Sequence, residues 1–370
     1  MKIAFYGSSL LSSYWNGAAT YYRGVLEELA RLGHEITFYE PDAFERQSHR
    51  DIDPPSWARV VVYEATDAGV TAAIAQSQSA DVVVKASGVG VYDDLLAAEL
   101  LGRARPGAIR VFWDVDAPAT LAEMGDASHP LRHLVRAADL VLTYGGGDPV
   151  VSQYRAFGAR ECVPIYNGLS PSTHHPVAKE ERLSADLSFL GNRLPDREKR
   201  VESFFLEPAA SLPEHAFLLG GAGWETRALP ANVRHIGHVP TRDHNAFNVS
   251  ARAVLNIARD SMATTGFSPA TRVFEACGAG ACLITDAWEG IDQFFSPDKE
   301  ILVARDGRDV AEIVTSLTNE RAREIGRAAL DRVLREHTYA QRAALAHQVL
   351  TRAHQQASAT SSVTDLASCA

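Results

Sequence analysis

The stretch GFSPATRVFEACGAGACLITD, residues Gly266–Asp286, decides the fold of this 370-residue chain. It predicts a glycine-containing loop, a short helix, a helix end broken by glycine and a buried strand. The helix N-terminus gathers unpaired backbone N–H groups and the positive end of the helix dipole, which suits a diphosphate. Pro269, near the helix start, has a preset φ and lacks only an N–H that would have no partner there. Glu275 is predicted about two turns inside, where it can accept hydrogen bonds from a ribose diol.

Short apolar strands alternate with helical patterns along the whole chain, which is typical of parallel α/β layers. The polar, proline-bearing segment 170–176 separates two sets of strands and is interpreted as an interdomain linker. Terminal helices are predicted over 322–336 and 340–356, followed by a Ser/Ala/Thr-rich tail that we expect to be disordered. Strands are predicted over 2–6, 35–39, 60–63, 81–85, 110–113, 140–143 and 162–165 in the first set, and over 187–190, 215–219, 233–236, 253–257, 281–284 and 301–304 in the second.

Composition narrows the class of partner. The net charge is −10, with 46% apolar and 22% charged residues, which disfavours a nucleic acid or an anionic membrane as partner. No run approaches the roughly 20 apolar residues of a membrane span, and the first strand is too short for a signal peptide. We therefore expect a cytoplasmic protein without an integral membrane segment. Cys277 and Cys282 lie among apolar residues and are predicted to be buried thiols and not metal ligands.

Several motifs occur in order along the chain, and together they resemble the GT-B glycosyltransferases. Within that superfamily they most resemble the CgeB-like (spore-maturation-type) group, whose members carry Ser-Pro, then Arg-x-Phe-Glu-Ala, then a glycine-rich turn. The motifs are NGAATYYR (16–23), FWDVDAP (112–118), PIYNGL (164–169), FLGNR (189–193) and the stretch quoted above.

The resemblance implies an α/β protein with two Rossmann-like domains facing across a cleft and a C-terminal helix crossing back to the first domain. It also implies that a sugar moves from a nucleotide-diphosphate sugar, with UDP-sugar favoured, to a hydroxyl-bearing acceptor. The transfer is expected to retain anomeric configuration and to need no metal or other cofactor. The acceptor could be a small molecule, a glycan or a protein. The expected domains are 1–172 for the acceptor, 173–338 for the nucleotide sugar, 339–356 for the returning helix and 357–370 for the tail.

One departure from the family pattern leaves alternatives open. Many retaining GT-B enzymes carry two glutamates eight positions apart, but the position eight before Glu275 is Phe267. The chain could therefore be a nucleotide-sugar binding protein with weak turnover. Inverting transfer with Asp114 or Asp116 as general base is a second alternative. A nicotinamide-dependent dehydrogenase is disfavoured, because no G-x-G-x-x-G follows the first strand.

Basic residues after a buried strand are candidates for binding the diphosphate. Arg193 and Arg197 are predicted one turn apart at a strand's carboxyl end, where they can neutralise a leaving diphosphate; surface arginines on a solvated helix start are the alternative. Arg272 is expected near the phosphates or the sugar, although pairing with Glu275 would be a structural alternative. With Arg193, Arg197 and Glu275 as catalytic candidates, the predicted donor-binding residues are Gly191, Asn192, His238, Val239, Gly266, Phe267, Ser268, Pro269 and Arg272. His238 and Val239 resemble the family segment that borders the nucleobase, though an ordinary loop remains the alternative.

The sequence Asp114-Val115-Asp116 has three interpretations. If the strand continues, both carboxylates face one side, and they could bind Mg²⁺ or Mn²⁺, contact the acceptor or transfer a proton; a helix N-cap is the third possibility. The resemblance favours basic residues and helix dipoles over a metal, so no metal site is predicted and both aspartates are kept as catalytic candidates. His174 and His175 lie in the linker and are expected to be solvated. Glycine-bearing loops supply the predicted acceptor-side residues Gly7, Ser8, Ser9, Asn16, Gly17, Tyr144, Gly145 and Gly146.

Overall fold

The computed structural model describes residues 1–105 and 107–368, with side chains as far as residue 357. The chain forms two compact units. The first contains Met1–Tyr166 and the chain from Tyr339 onward, and the second is Asn167–Thr338. The division between residues 166 and 167 falls before the linker that the sequence suggested, so residues 170–176 belong to the second unit.

The first unit is a parallel sheet with helices between successive strands. Its strands are β1 (Lys2–Tyr6), β2 (Glu35–Asp42), β3 (Ala58–Glu64), β4 (Val82–Ala86), β5 (Ile109–Asp114), β6 (Leu140–Thr143) and β7 (Cys162–Pro164). Its helices are α1 (Ala19–Arg31), α2 (Asp67–Gln76), α3 (Asp93–Ala97), α4 (Ala117–Glu123), α5 (Leu131–Ala137), α6 (Gly147–Ala156) and the C-terminal α14 (Tyr339–Ser368). The seven strands are ordered β3-β2-β1-β4-β5-β6-β7.

The second unit repeats this plan with a smaller sheet. Its strands are β8 (Leu187–Leu190), β9 (Phe217–Gly220), β10 (Val233–His235), β11 (Ala253–Asn256), β12 (Leu283–Asp286) and β13 (Leu302–Ala304). Its helices are α7 (Glu198–Val201), α8 (Glu207–Ser211), α9 (His244–Ser250), α10 (Asp260–Thr265), α11 (Thr271–Gly278), α12 (Gly307–Ser316) and α13 (Asn319–Glu336). The six strands are ordered β10-β9-β8-β11-β12-β13 and are all parallel.

The strand order reverses beside the first strand of each sheet. In the first unit β1 lies between β2 and β4, and in the second unit β8 lies between β9 and β11. In open parallel sheets, ligands bind outside the carboxyl ends of the strands at such a reversal. The loops that follow β8 and β11 are therefore where a ligand of the second unit is expected.

Apolar runs determine where the strands lie. In β4, Val82–Ala86, every residue is buried, because helices cover both faces of a parallel sheet. Phe5 of β1 pairs in register with Phe38 of β2 and with Val84 of β4, and these side chains belong to one core cluster. The predicted strands all overlap observed ones within the described chain.

Helix α14 packs on the first unit, as predicted. Its first residue, Tyr339, lies against α1 at Gly24, where a Cβ atom would stand 2.2 Å from the tyrosine ring. Glycine at this position therefore allows the two helices to approach closely. The backbone is helical to Ser368, whereas the sequence predicted a disordered tail over 357–370; residues 369 and 370 lie outside the described residues.

Candidate functional site

The loop after β8 holds two of the predicted arginines in different surroundings. Arg193 pairs with Glu198 at 2.6 Å, and helix α7 begins only at Glu198, so Arg193 lies in the loop and not in a helix. Arg197 is half-buried, donates from Nη2 to the Asn192 carbonyl oxygen at 2.8 Å and lies over the Phe189 ring. The loop orients Arg197 across β8 and leaves Arg193 bound to a surface carboxylate.

Gly191 lies beneath Arg197. A Cβ atom on Gly191 would stand 2.7 Å from Nη2 of Arg197 and 3.0 Å from the Phe189 ring. Gly191 thus permits the guanidinium to approach the strand end. Asn192 fixes the same loop, because its side-chain oxygen accepts a hydrogen bond from the Ala222 backbone N–H at 3.0 Å.

Two further arginines near this loop are neutralised by aspartates. Arg200 pairs with Asp286, a fully buried residue at the end of β12, and Arg259 after β11 pairs with Asp196. Sequence reasoning singled out neither Arg200 nor Asp286 as a site residue. The two partners are 86 positions apart, and no local signal links them.

Arg197 and Arg272 differ from these arginines. In the described chain, neither has a carboxylate within ion-pair distance, and a buried nitrogen of each, Nε of Arg197 and Nη1 of Arg272, has no hydrogen-bond partner. Burial, with Arg272 and Arg259 nearby, lowers the pKa of Arg197 to about 10. Burial also lowers the pKa of Arg272, and Glu275 partly opposes this. Two guanidiniums that lack an ion-pair partner and lie close enough to repel each other favour binding of an anion.

The loop before α11 has a strained conformation. Gly266 has φ +71° and Phe267 has φ +48°, a region that only glycine adopts readily. The Phe267 N–H donates to the Glu289 carbonyl oxygen at 2.6 Å, and the Phe267 ring covers Gly290. Phe267 therefore packs into the protein, and the backbone of Glu289, an exposed residue, lies beside this loop.

Asn167 anchors the rest of that loop. Its Nδ2 donates to the Pro269 carbonyl oxygen at 3.1 Å, and its Oδ1 accepts from the Thr271 hydroxyl at 3.2 Å. Helix α11 begins at Thr271, two residues later than Pro269, so the proline precedes the helix and does not occupy its first turn. Ser268 is buried, and its hydroxyl has no hydrogen-bond partner among the residues that the structure describes.

Glu275 lies about one turn inside α11 and is 7% exposed, which corrects the predicted depth of two turns. Its Oε1 is 3.7 Å from Nε2 of His174. Burial acts to raise the pKa of Glu275, but His174 and Arg272 outweigh it and hold the pKa below its usual value. The side chain is thus a buried carboxylate and not an exposed helix residue.

The expectation that His174 is solvated is wrong. His174 is 3% exposed, whereas His175 beside it is exposed as predicted. The Asn245 amide donates to the Thr173 carbonyl oxygen at 2.9 Å and so holds this segment against α9. His244, the first residue of α9, completes the group: ligand atoms of His174, His244 and Glu275 all lie within 4.8 Å of one another.

The predicted nucleobase segment borders a cavity of about 290 Å³. His238 is exposed and Val239 is buried, and both line this cavity, together with Arg182 and Arg234. The Val239 carbonyl oxygen accepts a hydrogen bond from Nε2 of His244 at 3.2 Å, and burial, with Arg272 nearby, lowers the pKa of His244 to about 4. The segment is therefore connected directly to the Glu275 group.

In the first unit, the predicted polar loop side chains bond to one another. Ser8 donates to the Asn16 side-chain oxygen at 2.9 Å, and Asn16 donates back to the Ser9 carbonyl oxygen at 2.9 Å. Ser9 donates to buried Glu40 at 3.0 Å. Ser8, Ser9 and Asn16 are all buried, so they build the loop and do not present free groups to an acceptor. Gly7 packs under Phe38, and Gly17 is exposed.

Asp114 is fully buried, which does not fit the predicted role in acceptor contact or proton transfer. Its Oδ1 accepts from Ser87 Oγ at 2.7 Å, from Thr120 Oγ1 at 3.0 Å and from the Asp116 N–H at 2.9 Å, and its Oδ2 accepts from Tyr154. Burial raises the pKa of Asp114 against the effect of these donors. The strand ends at Asp114, so the two aspartates do not share a face.

Asp116 takes a different position. Its backbone is the N-cap of α4, which was the third interpretation of this motif. The residue also lines a cavity of about 330 Å³ together with Lys85, Asp93 and His129. Lys85 is buried and pairs with Asp93 at 2.5 Å. Asp116 is therefore the aspartate of the pair that a ligand of the first unit could reach.

The loop after β6 is closely packed. Gly146 has φ +89°, and a Cβ atom there would stand 2.0 Å from Val150. Gly145 is buried and accepts a hydrogen bond from Thr143, while Tyr144 is half-buried against Tyr21. Gly146 therefore meets a conformational demand of the turn into α6.

Comparison with known proteins agrees with this architecture. Residues 197–348 match the family described as glycosyl transferase-like. The sucrose-phosphate synthase of Thermosynechococcus elongatus has a similar structure, with a TM-score of 0.69 at 14% identity over 95% of this chain and 98% of that one. The chain therefore has the two-domain fold of this structure, which is the GT-B fold. The predicted fold class is thereby confirmed.

Other GT-B relatives are equally distant in sequence. HepE of Anabaena in complex with UDP and glucose is 13% identical, with a TM-score of 0.65 over 95% of this chain and all of that one. An alpha-glucosyltransferase in complex with UDP-glucose and DNA containing an abasic site is 12% identical, with a TM-score of 0.69 over 95% and 99%. No curated protein matches the sequence. Within the described residues, the helices are too short or too polar to cross a bilayer.

Proposed function

We propose that this GT-B protein transfers a sugar from a nucleoside-diphosphate sugar to a hydroxyl-bearing acceptor, and that its donor site lies in the second unit. The observation that carries the proposal is a pair of half-buried guanidiniums, Arg197 and Arg272, neither of which has a carboxylate within ion-pair distance among the described residues. They lie with α11 near the point where the strand order reverses. A diphosphate would supply the missing negative charge, and the guanidiniums would stabilise it further as it leaves.

The ribose and the base have neighbouring candidates. Buried Glu275 can accept hydrogen bonds from a diol, and the cavity beside His238 and Val239 can admit a base. UDP is the nucleotide we propose, since the similar structures of HepE and of the alpha-glucosyltransferase are complexes with UDP and with UDP-glucose. We further propose the CgeB-like subtype, on the Ser268-Pro269 and Arg272–Ala276 motif.

Retention without a metal is part of the proposal. Basic side chains and the α11 N-terminus supply positive charge at the diphosphate, so no metal is needed there. The acceptor would be a small molecule, a glycan or a protein. The 330 Å³ cavity beside Asp116 is the proposed acceptor contact in the first unit, with Lys85 and Asp93 in its lining.

Binding of UDP to a Glu275→Ala variant tests the donor site. Loss of hydrogen bonds to a charged acceptor should weaken UDP binding by about 1.5–3 kcal/mol, measured by calorimetry. The matched control is Glu312→Ala, which removes an exposed carboxylate from α12 of the same unit. Unchanged UDP affinity in Glu275→Ala would refute the assignment.

Turnover is tested separately with a panel of UDP-sugars. Release of UDP together with transfer, and an α-configured product from an α-configured donor by NMR, are the expected results; activity should survive dialysis against EDTA. UDP binding without hydrolysis or transfer would support the alternative of a nucleotide-sugar binding protein. A product of inverted configuration would overturn the proposed retention.

A further inference from the structure

Among the described residues, each of the two histidines beside Glu275 has one buried ring nitrogen without a hydrogen-bond partner. These atoms are Nε2 of His174 and Nδ1 of His244. The carboxylate Oε1 of Glu275 is 3.7 Å from the first, and one ligand atom from each of the three residues lies within 4.8 Å of the others. His174 is 3% exposed and Glu275 is 7% exposed. A protein interior seldom leaves such atoms unpaired, because each costs free energy.

Hydrogen bonds at the opposite ring nitrogens determine the tautomers. The Thr173 hydroxyl donates to the Ser170 carbonyl oxygen, so it accepts from Nδ1 of His174, 3.0 Å away. The Val239 carbonyl oxygen can only accept, so Nε2 of His244 donates to it. When such a ring is neutral, its lone pair is then on the unpartnered nitrogen. Metal-binding histidines are held in this way, with the other N–H donated to an oxygen.

We propose that His174, His244 and Glu275 form a binding site for a divalent transition-metal ion such as Zn²⁺. We propose further that this ion competes with the nucleotide. Two imidazoles and one carboxylate with an open fourth position are a ligand set that Zn²⁺ accepts. Tetrahedral Zn²⁺ would bring these atoms to about 3.4 Å from one another, a movement of roughly 1 Å or less from the observed spacing. The competition rests on the proposed function, because Glu275 cannot hold both the ion and the ribose.

Replacing Arg272 provides a specific test of the proposal. Its guanidinium lies near Glu275 and His244, where it disfavours a cation and favours a diphosphate. Removing this charge should therefore strengthen Zn²⁺ binding and weaken UDP binding. No simple loss of folding produces opposite changes in two affinities.

The test uses the full chain after dialysis against a chelator. Zn²⁺ alone is titrated by calorimetry, and Co²⁺ alone by its visible absorption, which reports a tetrahedral site. About one ion per chain should bind. His174→Ala and His244→Ala should lower metal affinity at least about tenfold, whereas His175→Ala, which removes the exposed neighbour, should leave it unchanged.

Competition is measured on the wild-type chain and on Arg272→Gln. Saturating UDP should weaken Zn²⁺ binding by the same factor by which Zn²⁺ weakens UDP binding, since the coupling is reciprocal. In Arg272→Gln, Zn²⁺ should bind more tightly and UDP more weakly. Equal losses in His174→Ala and His175→Ala, or independent binding of Zn²⁺ and UDP, would overturn the proposal.

Failure of this inference can be told from failure of the proposed function. UDP binding without any Zn²⁺ or Co²⁺ binding would overturn the metal site alone. Zn²⁺ binding without UDP binding would overturn the nucleotide site and the competition, while the three ligands would stand.

Discussion

Replacing Asp114 distinguishes a structural role of this carboxylate from a role as general base. The fully buried carboxylate accepts four hydrogen bonds, from Ser87, Thr120, Tyr154 and the Asp116 N–H. In Asp114→Ala these donors lose their acceptor, although Thr120 can turn to the Asp116 carbonyl oxygen, 3.3 Å away. Three unsatisfied buried donors cost roughly 1–3 kcal/mol each. Relief of the buried charge offsets part of this cost, so the expected loss of unfolding free energy is about 3–4 kcal/mol.

Asparagine at the same position should behave differently. Its amide oxygen can take the place of Oδ1 and keep three of the hydrogen bonds. Its NH₂ group can donate to the Tyr154 hydroxyl, which then acts as an acceptor. Asp114→Asn should therefore cost about 1 kcal/mol or less.

Urea unfolding followed by tryptophan fluorescence measures both free energies, and Trp113 lies next to the substituted residue. Sugar transfer by Asp114→Asn should stay within about threefold of wild type, because the side chain does not reach the substrate. Loss of a general base typically lowers the rate by about 10²–10⁴-fold. An inverting mechanism with Asp114 as the base predicts a loss of this size. A transfer rate reduced about 100-fold with unchanged stability would refute the structural role. Asp116→Asn is the matched comparison, since that carboxylate lines a cavity.

Three further variants test other parts of the structure. Arg197→Ala should weaken UDP binding about 10–100-fold by calorimetry, whereas Arg193→Ala, which removes the partner of Glu198, should change it less than about threefold; equal effects would contradict the distinction. Glu289→Gln should lower kcat of transfer about tenfold or more with UDP affinity nearly constant, if Glu289 supplies the sugar-side carboxylate beside Phe267; unchanged kcat would exclude that role. Burial acts to raise the pKa of Asp51, but Arg23 and Ser13 outweigh it and hold the pKa below its usual value, so the stabilisation is present above the unfolded pKa and is lost as pH falls through the folded one. Asp51→Asn should therefore cost about 1 kcal/mol at pH 7 and almost nothing near pH 3; a pH-independent difference would contradict the ion pair.

The fold could be predicted because its signals are local. Val82–Ala86 is an apolar run that must be buried on both faces, and Leu187–Leu190 restarts the same pattern in the second unit. Gly33 ends α1 with φ +87°, as a helix-terminal glycine should. Helix limits were less predictable: α7 begins at Glu198, since the residues before it form the loop that orients Arg197.

The candidate site depends on contacts between residues far apart in sequence. His174 is buried because Asn245, 71 residues later, holds the Thr173 carbonyl oxygen, and nothing near residue 174 indicates this. Strand β5 ends at Asp114, so the alternation of side chains along a strand could not be extended to Asp116. Glu289 lies beside Phe267 only through the turn that follows β12. Polar residues of this kind are placed by tertiary structure, and their spacing in sequence carries little information.

The two units treat their candidate polar groups differently, and this difference bears on function. In the first unit, Ser8, Asn16 and Asp114 are buried and satisfied by protein partners. In the second, one buried nitrogen each of Arg272, His174 and His244 has no hydrogen-bond partner within the part of the chain that the structure describes. Each such atom costs roughly 1–3 kcal/mol in the free protein. A ligand that satisfies them recovers part of this free energy, so the second unit has the groups from which binding energy for a nucleotide, or for a competing ion, would come.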